Sequence, residues 1–371
     1  MLKAAVPMKI VVAMDSFKGS LTSLEAGNAV KSGILRACPD AEVKVLPLAD
    51  GGEGTLDCIA PFVGGDEIRL TVTGPSGAPV DSSYIYDQSD RCAYIEMARA
   101  SGLTLVPEAS RDPLTATSYG TGELIADAVK KGARKIFVFI GGSATNDGGA
   151  GMLQALGVKL TDCSGNDIGP GAAGLKELAA IDMSGLCIGD ISITVACDVT
   201  NPLCGPDGAS FVYGPQKGAA PETCAEMDSY LAHFASVSGF SSSETGTGAA
   251  GGMSFALKDF CGANLMSGAE MVLAVTAAEP EIEGCNIVIT GEGRMDLQTV
   301  NGKAPYKILE LGLKYGKPVY GLCGITGEGV EKCVEAGFTK IEPLIRPVME
   351  RDEAIRSVSE TAESLIRCQV R

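Results

Sequence analysis

The chain has 371 residues, more than one hydrophobic core usually supports, so two domains are the first expectation. Its formal net charge of −16 argues against binding a nucleic-acid backbone or an anionic membrane through bulk electrostatics. The 13 cysteines include no CxxC pair, so we expect neither a disulfide framework nor a zinc site. Neither a signal peptide nor an apolar run of membrane-spanning length is visible, so we expect a cytoplasmic protein.

The single histidine, His233, restricts the chemistry. It lies in a segment predicted as helical, residues 225–236, where a packed or surface histidine is the simpler interpretation. Ser-His-Asp hydrolysis, two-histidine metal sites and His-based phosphotransfer would all need this position. Carboxylates, lysines, arginines and backbone amides are therefore expected to carry the chemistry.

The first predicted strand, residues 9–14, is a short apolar run without alternation, typical of a parallel strand covered on both faces. Asp15, Ser16 and Lys18 follow it, just before a predicted helix at residues 21–37. Ligands of open α/β sheets bind beyond the carboxyl ends of strands, and helix N-termini there attract anions. These side chains are candidate phosphate and metal groups, although a solvated turn lysine and a capping aspartate fit this stretch equally well.

The second predicted strand, residues 41–48, ends in a glycine-rich acidic turn that contains Asp50 and Glu53. Glycines allow the backbone to approach a ligand closely, and carboxylate oxygens suit Mg²⁺. Such a turn alone is commonly a surface loop. Its pairing with the first turn, at the same strand ends, makes Asp50 and Glu53 candidate metal ligands.

From about residue 66 the strands become shorter and partly alternating, which predicts a mixed or antiparallel sheet in a second domain. A predicted helix at residues 118–131 and a strand at 135–140 then lead into a loop of small and hydroxyl residues, 141–151. Such a loop after a buried strand is typical of a backbone-amide cradle for phosphate. The loop is neither GxGxxG nor Walker A. Its candidate binding residues are Gly141, Gly142, Ser143, Asn146 and Asp147.

Two further strand ends carry candidate residues. Asp198 follows a predicted strand at 191–197 and is a candidate base or metal ligand. After a predicted helical run at 263–278, the strand 285–290 is expected to end in a turn, 291–296. This turn contains two candidate binding glycines and two candidate catalytic residues, Gly291, Gly293, Arg294 and Asp296.

Two βα units at the N-terminus and three at the C-terminus predict a five-stranded doubly wound sheet of the flavodoxin/Rossmann-like class. We assign residues 1–62 and 263–371 to this α/β domain and residues 63–262 to a large inserted α/β domain. In a flavodoxin-like order the first and third strands flank the switch point, which would set Asp15 and Lys18 beside residues 291–296. The inserted domain would then form a cleft that closes over two ligands, as transferases need for excluding water.

Several motifs, in order over nearly the whole chain, closely resemble those of the type 1 glycerate kinases. They are MDSFKGS at 14–20, ADGGEGT at 49–55, YGTGEL at 119–124, GGSATNDGG at 141–149, residues 198–205, YGPQKG at 213–218 and GEGRMD at 291–296. The resemblance implies ATP- and Mg²⁺-dependent phosphorylation of D-glycerate, mainly at the 2-hydroxyl in bacterial members, and an inserted domain in a Rossmann-like one. The chain departs from the family pattern at Thr200, where an aspartate is more common.

Phosphoryl transfer needs positive charge near the transferred group, Mg²⁺ on the phosphates and a carboxylate that aligns the hydroxyl. We hypothesise that Lys18 and Arg294 neutralise the phosphoryl group or the glycerate carboxylate. The expected cofactors are ATP and Mg²⁺, with Asp50 or Glu53 on the metal, and Asp296 or Asp198 takes the hydroxyl proton. D-glycerate is the expected partner, without nucleic acid or membrane, and a homodimer is left open.

Four alternatives remain at this point. The enzyme could form 3-phosphoglycerate, or phosphorylate another small hydroxy acid. Hydride transfer in the same cleft is weaker, because no GxGxxG turn is present. A small-anion sensor on the same fold would normally need an output module, and no basic helix-turn-helix segment or membrane span is visible.

Overall fold

The structure, a computed structural model, describes residues 7–17, 19–346 and 350–369, apart from the side chain of Asn301. In chain order its strands are β1 (Lys9–Met14), β2 (Glu42–Pro47), β3 (Asp66–Thr73), β4 (Pro79–Asp87), β5 (Cys92–Glu96), β6 (Lys135–Phe139), β7 (Lys159–Thr161), β8 (Ala180–Asp182), β9 (Ser192–Ala196), β10 (Asn264–Met266), β11 (Ile287–Met295), β12 (Val319–Thr326) and β13 (Lys340–Pro343).

The α-helices, again in chain order, are α1 (Ser23–Ala37), α2 (Thr55–Ile59), α3 (Ala98–Ser101), α4 (Tyr119–Lys130), α5 (Ala150–Ala155), α6 (Gly171–Leu175), α7 (Ala209–Tyr213), α8 (Pro221–Ser238), α9 (Ala249–Phe255), α10 (Gly268–Val275), α11 (Ala278–Gly284), α12 (Ala304–Lys314), α13 (Glu331–Ala336) and α14 (Arg351–Gln369). Among the described residues, none of these helices is long and apolar enough to cross a bilayer. All 13 cysteines are free thiols.

The chain separates into two units. The first consists of Met1–Asp50 with Ala269–Arg371, and the second is Gly51–Gly268. The domain limits predicted from the sequence, 62/63 and 262/263, both fall inside the second unit.

The first unit contains a five-stranded sheet in the order β13-β12-β11-β1-β2, and its strands are parallel. With the strands numbered within this unit, the order is 2-1-3-4-5, so the predicted flavodoxin-like doubly wound class is confirmed. Met14, at the end of β1, pairs with Gly291 in β11. The neighbouring ends of β1 and β11 form the switch point of the sheet, where such folds bind ligands.

Helices cover both faces of this sheet. Ile10, Val12 and Met14 belong to one core cluster with apolar residues of α1 and α14. The intervening Val11 and Ala13 are also buried, on the opposite face, because successive strand residues alternate. Helices α11 and α12 contact β1 there. Burial on both sides explains the continuous apolar run of β1.

The second unit contains a six-stranded sheet in the order β10-β9-β6-β5-β4-β3. The strands from β10 to β5 are parallel, whereas β4 pairs antiparallel with both β5 and β3. The mixed sheet predicted from the alternating segments is therefore present. Its parallel half ends in the loops that carry the candidate residues of this unit.

Two segments differ from the sequence prediction. Residues 264–266, expected in a helix, form β10, which pairs with β9. Strand β11 continues to Met295 through the segment predicted as a turn. On one side Met14 of β1 pairs with Gly291, and on the other side β12 pairs with β11 as far as Met295, which lies opposite Thr326. Gly291 and Gly293 therefore lie inside a strand. At Gly291 a Cβ would collide with the Leu322 carbonyl, so strand packing itself requires a glycine there.

Candidate active site

The carboxyl end of β1 carries two of the predicted binding residues. Asp15 donates its backbone N–H to the carbonyl of Gly291 at 2.8 Å, which ties this turn to β11. The Asp15 side chain accepts the Ser16 N–H at 2.6 Å, and both residues are half-buried. Lys18 lies outside the described residues, so its role stays a prediction.

Hydroxyl groups fix the start of α1 beside this turn. Ser23 Oγ donates to the Met14 carbonyl at 2.7 Å and accepts the Leu48 N–H at 2.9 Å. One side chain thus joins the ends of β1 and β2 to the first residue of α1. Thr22 Oγ1 accepts the N–H of Glu25, whose carboxylate accepts the Thr22 N–H in return. This capping box stabilises the helix terminus, where anions bind favourably.

A partly buried ion pair that the sequence analysis did not predict involves Glu292 on β11. Glu292 is 8% exposed, and its carboxylate accepts hydrogen bonds from Thr299 Oγ1 at 2.8 Å and from Lys303 Nζ at 3.1 Å. Lys303 immediately precedes α12. The sequence analysis missed Glu292 because it predicted residues 291–296 as a turn. A charged residue on the buried side of a strand is rare, so the continuation of β11 through residues 291–295 would have indicated a functional or structural role.

Arg294 and Asp296 form the exposed end of the same cluster. Arg294 Nε donates to Asp296 Oδ2 at 3.1 Å, while Asp296 Oδ1 accepts the Gln298 N–H at 2.9 Å. Lys303 Nζ lies 3.9 Å from Asp296 Oδ1. The Arg294 side chain is 59% exposed and that of Asp296 only 15%. The two carboxylates, Glu292 and Asp296, therefore hold two cations at the end of β11, and the Arg294 guanidinium is accessible to an anion.

Three features of the second unit lie at one edge of its sheet. The last residues of β5, β6 and β9, which are Glu96, Phe139 and Ala196, pair with one another across neighbouring parallel strands. The loop 141–151 follows β6, and Asp198 follows β9. Because the carboxyl ends of parallel strands meet at one edge, this loop, Asp198 and Glu96 all lie at that edge of the sheet.

The glycine-rich turn at residues 51–53 packs on this edge. The Gly51 carbonyl accepts the Gly141 N–H at 3.2 Å. A Cβ added to Gly141 would lie 2.5 Å from Gly52 Cα, so the two backbones touch. Gly51 has a φ of +80°, which disfavours other residues. Glu53 Oε1 accepts a hydrogen bond from Thr104 Oγ1 at 3.2 Å. Glu53 thus stands beside the 141–151 loop.

The carboxylate of Glu96 holds this turn in place. Glu96 is 2% exposed and accepts the N–H groups of Gly54 at 3.0 Å and of Leu56 at 2.8 Å. Burial raises the pKa of this carboxyl group, and the two backbone hydrogen bonds oppose that shift. A negative group at a helix N-terminus is stabilising. Glu96 therefore caps α2 and supports the turn that carries Glu53.

The loop 141–151 exposes only its first residues. Gly142 is exposed and Gly141 half-buried, whereas residues 143–150 are buried. Asn146 Nδ2 donates to Ser210 Oγ at 2.8 Å, in the interior. Within this predicted cradle, the backbone of Gly141 and Gly142 is accessible to a ligand. The side chains of Ser143, Asn146 and Asp147 instead shape the loop from inside, and their predicted ligand contacts stay predictions.

Asp147 joins the loop to two helices. Its Oδ2 accepts the N–H and the hydroxyl of Ser118 at 2.9 and 2.7 Å and the N–H of Gly151 at 3.3 Å, and its Oδ1 accepts the Gly149 N–H at 3.1 Å. Burial raises the pKa of the Asp147 carboxyl group, and these hydrogen bonds oppose the shift. Ser118 precedes α4, and Ser118 Oγ also accepts the Met152 N–H of α5 at 3.0 Å. The start of each helix is therefore fixed to the loop.

A second glycine-rich segment supports the loop from behind. Ala250, Gly251 and Gly252 are left-handed, with φ values of 53°, 69° and 87°. The Gly251 carbonyl accepts the Gly148 N–H at 2.9 Å. Here the glycines meet the 141–151 loop.

The sequence analysis assigned no role to Lys217, yet this lysine reaches the centre of the loop. It is 1% exposed, and its Nζ donates to Ser143 Oγ at 3.0 Å and to the Thr145 carbonyl at 2.6 Å. Burial lowers the pKa of Lys217 to about 7, and the nearby Asp147 charge opposes this shift. The YGPQKG motif was the available signal, but nothing in it shows which way the lysine points.

Asp198 is the last predicted candidate, and His233 is the single histidine of the chain. Asp198 is exposed, and its Oδ1 accepts the Gly268 N–H at 3.0 Å. His233 is half-buried in α8, where its Nε2 lies 2.7 Å from the Leu178 carbonyl oxygen. This histidine is therefore engaged with backbone, as a packed residue would be.

The predicted metal ligands have suitable chemistry. Mg²⁺ is typically held in phosphoryl-transfer sites by one or two carboxylates together with waters and substrate phosphates. Asp50 and Glu53 offer such oxygens, and the phosphates would come from the nucleotide. In the part of the chain that the structure describes, no group of three or more His, Cys, Asp or Glu residues is arranged to hold a metal ion. The donor set fits Mg²⁺, and its assignment stays a prediction.

Comparison with known proteins identifies the family. Residues 10–370 match the family model described as the glycerate kinase family. The chain belongs to the glycerate kinase family. It is 46% identical to the glycerate 2-kinase of Escherichia coli K12 over 94% of this chain and 93% of that protein. It is 43% identical to the glycerate kinase of Bacillus subtilis 168 over 97% of this chain and 96% of that protein.

A solved structure agrees with this membership. The crystal structure of a protein assigned as glycerate kinase 2 from Salmonella typhimurium LT2 superposes with a TM-score of 0.88 at 44% identity, over 98% of both chains. The resemblance drawn from the motifs is therefore confirmed. As a member of the glycerate kinase family, the protein is a kinase, and the sensor alternative is dropped.

Proposed function

We propose that this protein transfers the γ-phosphoryl group of ATP to the 2-hydroxyl of D-glycerate, giving 2-phosphoglycerate and ADP. The observation that carries the proposal is the 46% identity to the Escherichia coli glycerate 2-kinase over 94% of the chain. Relatives named only glycerate kinase support the acceptor without specifying the hydroxyl. D-glycerate and ATP as partners, a possible homodimer, the lack of a nucleic-acid partner and the cytoplasmic location are further predictions.

Positive charge at the end of β11 supports phosphoryl transfer. The transferred group carries charge on its oxygens, and cations aimed at those oxygens lower the barrier. The Arg294 guanidinium is 59% exposed and presents several N–H donors in a plane that matches carboxylate and phosphate. The carboxylate of Asp296 accepts a hydrogen bond from the Arg294 Nε and orients the guanidinium. Arg294 is accordingly assigned to the phosphoryl group or the glycerate carboxylate, and Lys18 to the same task.

Backbone amides supply the second kind of contact. Gly141 and Gly142 are the accessible part of their loop, and amides in such turns bind phosphate oxygens. The Gly141 N–H donates to the Gly51 carbonyl, so we assign the Gly142 amide to a phosphate oxygen and Gly141 to the shape of the turn. Asp15 and Ser16 lie at the switch point of the first sheet, beside the N-terminus of α1. We assign them to the nucleotide phosphates as well.

The proton of the attacking hydroxyl goes to a carboxylate, either Asp198 or Asp296. Asp198 is exposed at the end of β9, and its Oδ1 accepts the Gly268 N–H. Asp296 accepts a hydrogen bond at each oxygen, one of them from Arg294. An aspartate engaged in this way is suited to orienting Arg294. Mg²⁺, when held by Asp50 or Glu53, supplies charge neutralisation on the nucleotide phosphates.

The proposal is tested by product analysis. The purified protein is incubated with ATP, Mg²⁺ and D-glycerate, and the product is compared by phosphorus NMR with 2- and 3-phosphoglycerate standards. Reactions without acceptor and with L-glycerate are the controls. The expected product is 2-phosphoglycerate. Formation of 3-phosphoglycerate would overturn the choice of hydroxyl, and the absence of product from a protein shown to be folded by circular dichroism would overturn the whole proposal.

A further inference from the structure

We propose that Lys217 is a positioning residue for phosphoryl transfer. By holding Ser143 and Thr145, it keeps the backbone of Gly141 and Gly142 in the conformation that binds an anionic substrate group. The inference rests on the proposed function, because it assigns Lys217 a task in that reaction. Lys217 itself does not touch the substrates.

Lys217 contacts the 141–151 loop directly after Gly141 and Gly142, the two residues that are accessible to a ligand. Its ammonium group donates to Ser143 Oγ at 3.0 Å and to the Thr145 carbonyl at 2.6 Å, immediately after the two accessible glycines. Lys217 lies in the turn Pro215–Lys217, which is distant in sequence from the loop. A single side chain therefore connects a separate segment of the fold to the predicted phosphate cradle.

Other contacts fix the opposite side of the same loop. The Gly142 carbonyl accepts the Leu103 N–H at 2.8 Å, and the Ala144 N–H donates to the Ser101 carbonyl at 2.9 Å. These two bonds anchor the loop to the segment that follows α3. Lys217 supplies the corresponding anchor from its own turn. Removing that anchor leaves residues 141–144 held by Gly51, Ser101 and Leu103.

Burying a lysine side chain to make two hydrogen bonds has a large free-energy cost. Lysine is almost never fully buried unless it is paired, because the charged group loses its hydration. The charged form is nevertheless useful here, because an ammonium group donates stronger hydrogen bonds than a neutral amine. The 2.6 Å distance to Thr145 is in keeping with such a bond. A residue that only filled space in the core would not need an ionisable group.

Burial and one nearby charge set the ionisation of Lys217. Asp147, on the loop, favours the charged form. A cavity of about 30 Å³ adjoins Lys217 and is lined by Arg111 and Asp112, among others. This volume holds about one water molecule. Burial is the dominant influence and brings the pKa of Lys217 to about 7, so the strength of the anchor changes near neutral pH.

The test compares Lys217→Met with Lys176→Met, a matched change at an exposed lysine of the same unit. Hydrogen–deuterium exchange is followed in peptides that cover residues 141–151, with β3 and β4 as the internal reference. For Lys217→Met we expect at least about tenfold faster exchange in 141–151 alone, and a fall of about 100-fold in kcat/KM, which is the scale for misplaced binding groups. Lys176→Met should match the wild type in both.

The pH dependence separates positioning from mere stabilisation. Wild-type kcat/KM should decline as pH rises through about 7, because neutral Lys217 anchors the loop less firmly. Lys217→Met should lack this titration, whereas a loss of stability alone would leave the profile of the folded enzyme unchanged.

The outcomes distinguish the two proposals. If the wild type shows no activity with glycerate, the proposed function fails, and the exchange measurement still decides the role of Lys217. Unchanged exchange in residues 141–151 of Lys217→Met would overturn the anchoring role in any case. Wild-type kcat/KM with an unaltered pH profile in the variant would overturn the positioning role.

Discussion

The ionisation of Lys217 predicts an unusual pH dependence of stability. The substitution Lys217→Met removes the amine and keeps a side chain of similar length. Two effects follow, and they depend differently on pH. The loss of hydrogen bonds to Ser143 and Thr145 destabilises the folded state at every pH, by about 1–3 kcal/mol for each buried partner left unsatisfied. The loss of the buried amine stabilises it, but only where the amine would be charged in the unfolded chain.

The size of the second effect follows from the pKa. Lys217 titrates at 10.5 in the unfolded chain and at about 7 in the folded protein. Between these values unfolding takes up a proton, so wild-type stability rises with pH by about 1.4 kcal/mol per pH unit. Below about pH 7 the contribution is constant, because both states are protonated. Between pH 7 and 9.5, Lys217→Met should therefore lose about 3 kcal/mol of stability relative to the wild type.

Urea unfolding at several pH values measures this difference. The chain contains no tryptophan, so circular dichroism is the suitable signal. All groups other than Lys217 are the same in the two proteins, so their contributions to the pH dependence largely cancel in the difference between wild type and variant. If two transitions appear, the comparison uses the one that the substitution shifts. A difference that stays constant from pH 7 to 9.5 would refute a lysine neutralised by burial, whatever its sign.

Other substitutions test the site directly. Gly141→Ala places a Cβ 2.5 Å from Gly52 Cα and should lower kcat/KM at least about tenfold by displacing the loop. The control is Gly169→Ala, which should match the wild type because no atom lies within 4 Å of the added Cβ. Arg294→Met should lower kcat/KM by about 10²–10³, and the exposed Arg367→Met should not; equal effects would argue for a general loss of stability. Single-turnover experiments compare Asp198→Asn with Asp296→Asn. The variant that lacks the catalytic base should carry out the chemical step about 10²–10⁴-fold more slowly. A variant in which only the substrate affinity changes has lost a binding residue. Lys18→Ala should lower kcat by about 10²–10³ if Lys18 contacts the transferred group; an effect on thermal stability alone would remove that role.

Much of the fold was predictable because its signals are local. The apolar run of β1 needs burial on both faces whatever surrounds it, and the structure supplies helices on both faces. The alternation in residues 66–97 likewise predicted the antiparallel hairpins. The boundary of β11 was not predictable from glycine content, because a strand continues through glycine when hydrogen-bonding partners lie on both sides.

The candidate site was predictable in part. Chain order and strand ends suffice to place Asp198 beside the 141–151 loop, because parallel neighbours end at one edge. Burial within a loop is a property of the packed molecule. For this reason the sequence did not reveal that Asp147 binds Ser118 and backbone amides in the interior, and its predicted ligand contact stays a prediction. Glu96 and Lys217 were missed because their partners are distant in sequence.

The sequence by itself determined the family and the doubly wound class, and it predicted the segments that carry the chemistry. These follow from residue order, periodicity and motif spacing, which are readable along the chain. The tertiary structure decided which polar groups of these segments are exposed and which are buried and bonded to the rest of the fold. Gly142 is exposed, while Lys217 and Glu96 are buried and bound to backbone. That distinction depends on desolvation and on contacts between distant segments, and neither exists until the chain has packed.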